Sequence, residues 1–126
     1  MTLLERACGG SLERGKDGRA GDVMAWLGWA RVLVRGPSMS PVLGDGDVLL
    51  VRLGASVRPG EVVLVRWTAR PGQLSVKRAV RPVDGGWDVR GDNVFGSTDS
   101  RQLGPAAVLG VARYRIWPRP CHLPSP

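Results

Sequence analysis

From Ala30 onward, short apolar runs alternate with glycine- and proline-marked breaks, and their length is that of strands rather than helices. Arg31-Val32-Leu33-Val34-Arg35 predicts one strand and Val48-Leu49-Leu50-Val51-Arg52 another, with a Gly- and Pro-rich loop from Gly36 to Gly46 between them. Val57 to Gly60 reads as a turn into a longer apolar strand, Glu61 to Trp67. Arg70-Pro71-Gly72-Gln73 predicts a turn into Leu74 to Arg81, and Pro82 to Gly86 a turn into Trp87 to Arg90. A polar loop, Gly91 to Arg101, precedes a last strand, Val108 to Trp117. No segment after residue 35 carries a helical period. Strands at this spacing predict a mainly β fold, a single barrel-like domain of folded sheets.

The flanks differ. Met1 to Asp22 is polar, with five glycines, and reads as a mobile N-terminal arm. Pro118 to Pro126 reads as a loose Pro-rich tail. Between arm and first strand lies the apolar stretch Val23 to Ala30, eight residues bounded by Asp22 and Arg31. A membrane-spanning helix needs roughly 20 residues, so no transmembrane helix is expected. Trp26 and Trp29 in that stretch offer peripheral contact with a membrane interface.

Composition changes the picture in two ways. The 126 residues suffice for one domain, and 43% are hydrophobic, enough for a core. The formal net charge of +7 raises nucleic acid as a partner, but the basic residues are spread and the few aromatics are not interleaved with them, so none is expected. The two cysteines, Cys8 and Cys121, make neither a disulfide framework nor a metal motif; no metal or other cofactor is expected, and a reducing cytoplasmic setting is the default. Sixteen of the eighteen basic residues are Arg, leaving Lys16 and Lys77 as the two Lys. In such a chain a Lys inside an apolar strand stands out, because Lys can be neutralised by burial and Arg cannot.

Three segments carry candidate chemistry. In Gly36-Pro37-Ser38-Met39-Ser40-Pro41, two prolines fix the backbone around a hydroxyl. In the Leu74 to Arg81 strand, Lys77 shares a face with the small residues Ser75 and Ala79, while Val76 and Arg78 take the other. A desolvated Lys there could work as a neutral base. Gly91-Asp92-Asn93, followed by Ser97-Thr98-Asp99-Ser100-Arg101, is a dense polar loop in which Asp99 and Arg101 can pair. Singly, each segment also reads as ordinary structure: a turn serine, a surface lysine, a structured loop.

In this order the three resemble the type I signal peptidase family and its soluble relatives. The first matches Gly-x-Ser-Met-x-Pro-x-Leu through Leu43, the second Val76-Lys77-Arg78, and the third Gly-Asp-Asn followed by Ser-x-Asp-Ser-Arg and Gly104. The resemblance runs from Val32 to about Trp117. It implies a serine endopeptidase in which Ser38 is the nucleophile and Lys77 the general base, with Ser97 orienting the Lys and Asp99 and Arg101 supporting it. Gly36, Met39, Pro41, Gly91, Asp92 and Asn93 are motif positions. The Ser38 backbone N–H is the implied oxyanion donor. Relatives with a Ser two residues before the nucleophile use it as a second donor; Gly36 occupies that position here.

The likeness places the catalytic β domain at residues 23–117 and extends to the self-cleaving repressors, which share a Ser–Lys pair. Ala20-Gly21 offers a bond of the kind those repressors cut, but it lies just 17 residues before Ser38. Only 13 residues separate Lys77 from Gly91, where many bacterial members carry a long insertion. A short member of this kind resembles the proteases that mature nickel-type superoxide dismutase. The implied partner is then a precursor protein, pro-superoxide dismutase of the nickel type, and the implied location is the cytoplasm, with the inner face of the membrane as an alternative site of preprotein processing. Substrate is expected to add as an extended strand beside Ser38 and Lys77, with small or apolar pockets selecting small residues before the cut.

Overall fold

The structure is a computed structural model and describes residues 20–93 and 95–123. Eight strands build it. The first two, β1 (Ala20–Trp26) and β2 (Trp29–Val34), form a hairpin in register Trp26↔Trp29. Leu27 and Gly28 turn it with φ of 51° and 84°, the two positive values that a tight two-residue hairpin turn requires. Asn or Gly usually fills the first of these positions; here it is an exposed Leu. Along β2 the alternation is complete, with Ala30, Val32 and Val34 buried and the residues between them half-buried.

The strands that follow are β3 (Val48–Leu53), β4 (Val62–Trp67), β5 (Arg70–Val83), β6 (Gly86–Arg90), β7 (Ala107–Trp117) and β8 (Cys121–His122). A four-residue helix, α1 (Ser100–Leu103), lies between β6 and β7. The sheet order is β1-β2-β3-β7-β4-β5-β6 with β8 on β7, and every pairing is antiparallel.

The apolar run of β4 is continuous because both its faces are buried. Val62 and Leu64 enter one core with Val32, Leu49 and Val51; Val63, Val65 and Trp67 enter a second with Ala79, Val89 and Val111. Around the second core the sheet curls back on itself. Trp87, at the start of β6, exchanges two backbone hydrogen bonds of 2.9 Å with Ala106, just ahead of β7. Strands β7, β4, β5 and β6 thereby form a small barrel, in keeping with the expected barrel-like β architecture. Among the described residues no helix is long and apolar enough to cross a membrane.

Three sequence expectations shift. The arm was expected to reach Asp22, but β1 begins at Ala20, paired with Val34; residues 1–19 of the expected arm lie outside the described residues. The turn expected at Arg70 to Gln73 falls instead at Thr68 and Ala69, and Arg70 to Gln73 already belong to β5. Pro71 is tolerated there because β6 pairs with β5 only from Arg78 on, which leaves the earlier part as an edge. The tail is docked as far as Leu123: Cys121 and His122 pair with Arg115 and Tyr114, and Leu123 is buried in the first core.

Candidate active site

The loop that carries Ser38 is closed at its root. Val34 and Asp47 share a backbone bond of 2.8 Å, Gly46 N–H donates to the Val34 carbonyl, and Gly36 N–H donates to Asp45 Oδ1 at 2.8 Å. Asp47 takes the Gly44 amide and pairs with Arg115 on β7. From below, Met39 and Leu43 plug the loop into the first core. The outcome is a hydroxyl on a short, braced segment, with Ser38 only 8% exposed. Its backbone N–H and side chain make no hydrogen bond to the described residues. Gly36, which has no side-chain hydroxyl to offer, has its amide committed to Asp45.

Lys77 stands on β5 opposite Val63 of β4, at the wall of the second core. It is 2% exposed. Burial lowers its pKa from the ordinary 10.5 to about 8; the Asp99 carboxylate opposes that shift and Arg101 adds slightly to it. Its ammonium nitrogen donates to Ser97 Oγ at 3.0 Å. Ser97 Oγ in turn donates to Asp99 Oδ2 at 3.2 Å. Asp99, fully buried, also receives Gly91 N–H and Arg101 N–H, and Arg101 clasps both its oxygens at 2.9 and 2.8 Å. Burial alone would raise the carboxyl's pKa; the Arg101 guanidinium and the two backbone N–H groups outweigh it and hold the group well below the usual carboxylate range. Asp99 therefore accepts and never donates. The single Ser97 proton is committed to it, and Ser97 can only accept from Lys77.

Asp99 also begins α1. It caps the helix, and the Gln102 side chain returns to the Asp99 N–H, a capping box.

Gly91 is where the three segments meet. A β-carbon there would collide with the Ser97 side chain and lie 2.6 Å from the Ser38 carbonyl oxygen. Asn93 finishes the junction: its N–H donates to the Ser38 carbonyl at 2.9 Å and its amide to the Pro37 carbonyl at 3.1 Å. Asp92 receives a two-pronged contact from Arg78, at 3.1 and 2.7 Å, and Arg78 also donates to the Gly60 carbonyl. This clamp between the Lys segment and the Gly-Asp-Asn segment was not foreseen from sequence. Its signal was present as opposite charges in the two motifs, beside Lys77 and beside Gly91. Pro41, by contrast, is exposed on the loop, away from these contacts.

Ser38 and Lys77 line one cleft, with Pro37, Trp67, Ser75 and Thr98 among its other walls. No hydrogen bond joins the Ser38 hydroxyl to the Lys77 nitrogen; such bonds often tighten only once substrate is bound. The cleft is more polar than the expected small apolar pockets, since Arg70, Gln73, Ser75 and Thr98 all face it. Among the described residues no cluster of His, Cys, Asp or Glu is arranged to hold a metal ion.

Comparison with known proteins adds an independent line. The peptidase S24-like family model matches residues 29–104. The mitochondrial ATP-independent inner membrane protease subunit 1a of Arabidopsis thaliana is 34% identical over 116 residues, covering 68% of this chain and 68% of that protein. The mitochondrial inner membrane protease subunit 1 of Xenopus tropicalis is 29% identical over 115 residues, covering 69% and 68%. No solved structure matches significantly.

Proposed function

The chain belongs to the peptidase S24-like family, and from that premise we propose that it is a serine endopeptidase with a Ser38–Lys77 pair, removing an N-terminal propeptide from a precursor protein. The observation that carries the reading is a buried Lys, with a pKa lowered to about 8, facing the same cleft as a braced Ser. Neutral Lys77 takes the Ser38 proton as Oγ bonds to the scissile carbonyl carbon. The developing oxyanion is held by the Ser38 N–H, which has no other partner among the described residues. The C–N bond breaks as the protonated Lys77 returns its proton to the leaving amine. Water then attacks the Ser38 ester, again losing a proton to Lys77, and the free Ser is restored. The Ser97 acceptor holds one N–H of the amine, so that the lone pair is left for the cleft.

Substrate adds as a strand. The edge of β5 before Arg78 carries no partner strand among the described residues, and it runs directly up to Lys77. A precursor of nickel-type superoxide dismutase is the proposed substrate, supported by the short 13-residue span between Lys77 and Gly91 and the Arg-rich composition. Incubating that precursor with wild type and with Ser38→Ala, and reading product N-termini by mass spectrometry, tests it. Cleavage at one bond by wild type alone is expected; cleavage by both proteins, or by neither, contradicts it.

A second reading, preprotein processing at a membrane surface, is favoured by one observation. Trp26 and Leu27 are 75% and 74% exposed at the β1–β2 turn, and the two relatives are named as inner membrane proteases. With that tip in lipid, β2 would hold the Ser38 loop roughly 20 Å from the surface, by its strand length.

A further inference from the structure

Ser75 lies two residues before Lys77 on the same face of β5, opposite Val65. It is 2% exposed, lines the cleft shared by Ser38 and Lys77, and its hydroxyl makes no hydrogen bond to any described residue. On that face Lys77 and Gln73 flank it along the strand, and Val63, Val65 and Ala79 around it are apolar. A small apolar residue would satisfy the core there without leaving a polar group in need of a partner. The hydroxyl opens to the cleft, and a group that fills the cleft without hydrogen-bonding it leaves it unpaired at a cost of about 1–3 kcal/mol. Thr98 and Gln73 add further hydrogen-bonding groups to the same walls, and Arg70 places a positive charge there.

Resting on the peptidase reading above, we infer that this cleft is a specificity pocket for a short hydrogen-bonding side chain, non-basic in character, on one of the two residues flanking the scissile bond, and that the Ser75 hydroxyl reads it. The side chain must flank the bond because the same cleft holds Ser38 and Lys77. It must be short because Trp67, buried and tied by its indole N–H to the Gly104 carbonyl at 2.9 Å, closes one wall. Basic side chains are disfavoured by Arg70 and by the protonated state of Lys77. A site built around a hydroxyl discriminates against an isostere that lacks a hydrogen-bonding group, because entry of that isostere leaves the hydroxyl dry and unpaired.

The test is a set of peptides spanning a cleaved bond, varied on each side of the cut with the isosteric pairs Thr/Val and Asn/Leu, plus Lys. They are assayed for kcat/KM with wild type, Ser75→Ala, Ser75→Thr and Ser38→Ala. At one of the two positions the polar member is expected to be cut about 10-fold or more faster than its isostere, and Lys least. Ser75→Ala should bring that ratio close to one while the apolar peptides are still cut, and Ser75→Thr should restore it. Equal or reversed preference at both positions, or an unchanged ratio in Ser75→Ala, overturns the inference while Ser38-dependent cleavage leaves the peptidase reading intact. Absence of any Ser38-dependent cleavage overturns both.

Discussion

Lys77 is the residue at which chemistry and stability pull apart. Its pKa is lowered in the folded protein, so the unfolded chain binds the proton more tightly. Stability therefore rises with pH between about 8 and 10.5, and below that window the buried charge carries its full penalty. A shift of this size corresponds to about 3 kcal/mol. Lys77→Met should accordingly be inactive yet more stable than wild type at pH 7, by up to about 3 kcal/mol in urea denaturation, with the gap closing as pH is raised toward 10.5. A Met variant that is less stable at pH 7 would contradict the desolvation account. Lys77→Arg should also be inactive, since Arg stays charged. The same lowered pKa sets the rate profile: kcat/KM should climb about tenfold per pH unit below 8 and level off above it. Asp99 works in the opposite sense. Asp99→Ala would leave Arg101 and two backbone N–H groups without their acceptor, and should cost about 3–5 kcal/mol in thermal or urea unfolding. The pairing of Asp99 with Arg101 could be foreseen from two charges two residues apart. The place of the Ser75 hydroxyl in the cleft wall, without a hydrogen bond to any described residue, could not, because it depends on the surrounding walls.

At the scale of elements, the site is a junction of three segments held by backbone contacts. Gly91 matters because the Ser38 and Ser97 segments approach too closely for a side chain. Gly91→Ala should leave the sheet folded, by circular dichroism, but displace both serines and lower kcat about 100-fold. An Ala variant of normal activity would mean that the junction is slack. Strands β2, β3, β4, β6 and β7 were legible, since each presents an apolar run bounded by turn residues. Strands β1 and β8 were not, Val23 to Trp26 having read only as an apolar stretch ahead of the first strand. Ala20 to Asp22 has the polar, Gly-rich look of a free arm and is ordered by pairing with β2, and Cys121-His122 sits among prolines and is ordered by pairing with β7. Both are tertiary effects that local pattern does not contain. The displaced turn has a similar origin: Pro71 and Gly72 signal a turn, but on an edge with no partner strand among the described residues they are compatible with a strand.

Across the whole molecule, the curled half of the sheet supplies Lys77 and the second core, while the open half supplies the Ser38 loop. The far end of that open half presents Trp26 and Leu27 to solvent. With a net charge of +7, contact with anionic lipid would be strengthened by charge and weakened by salt. If the membrane reading holds, wild type should co-sediment with anionic vesicles at physiological salt, and Trp26→Ser with Leu27→Ser should abolish this while peptide cleavage in solution is unchanged. No vesicle binding by wild type would remove that reading. The overall β architecture and the order of the three motifs were readable along the chain, whereas the closure of β6 onto Ala106 depends on contacts between distant segments.

The most direct test of the Ser38–Lys77 pair needs no knowledge of the substrate. The protein is treated with a serine-directed fluorophosphonate across a pH series, and the labelled peptide is identified by mass spectrometry. The account predicts a single adduct on Ser38, formed at a rate that rises with pH and levels off near 8, and lost in Lys77→Met. Labelling at another residue, or undiminished labelling of Ser38 in Lys77→Met, would contradict it.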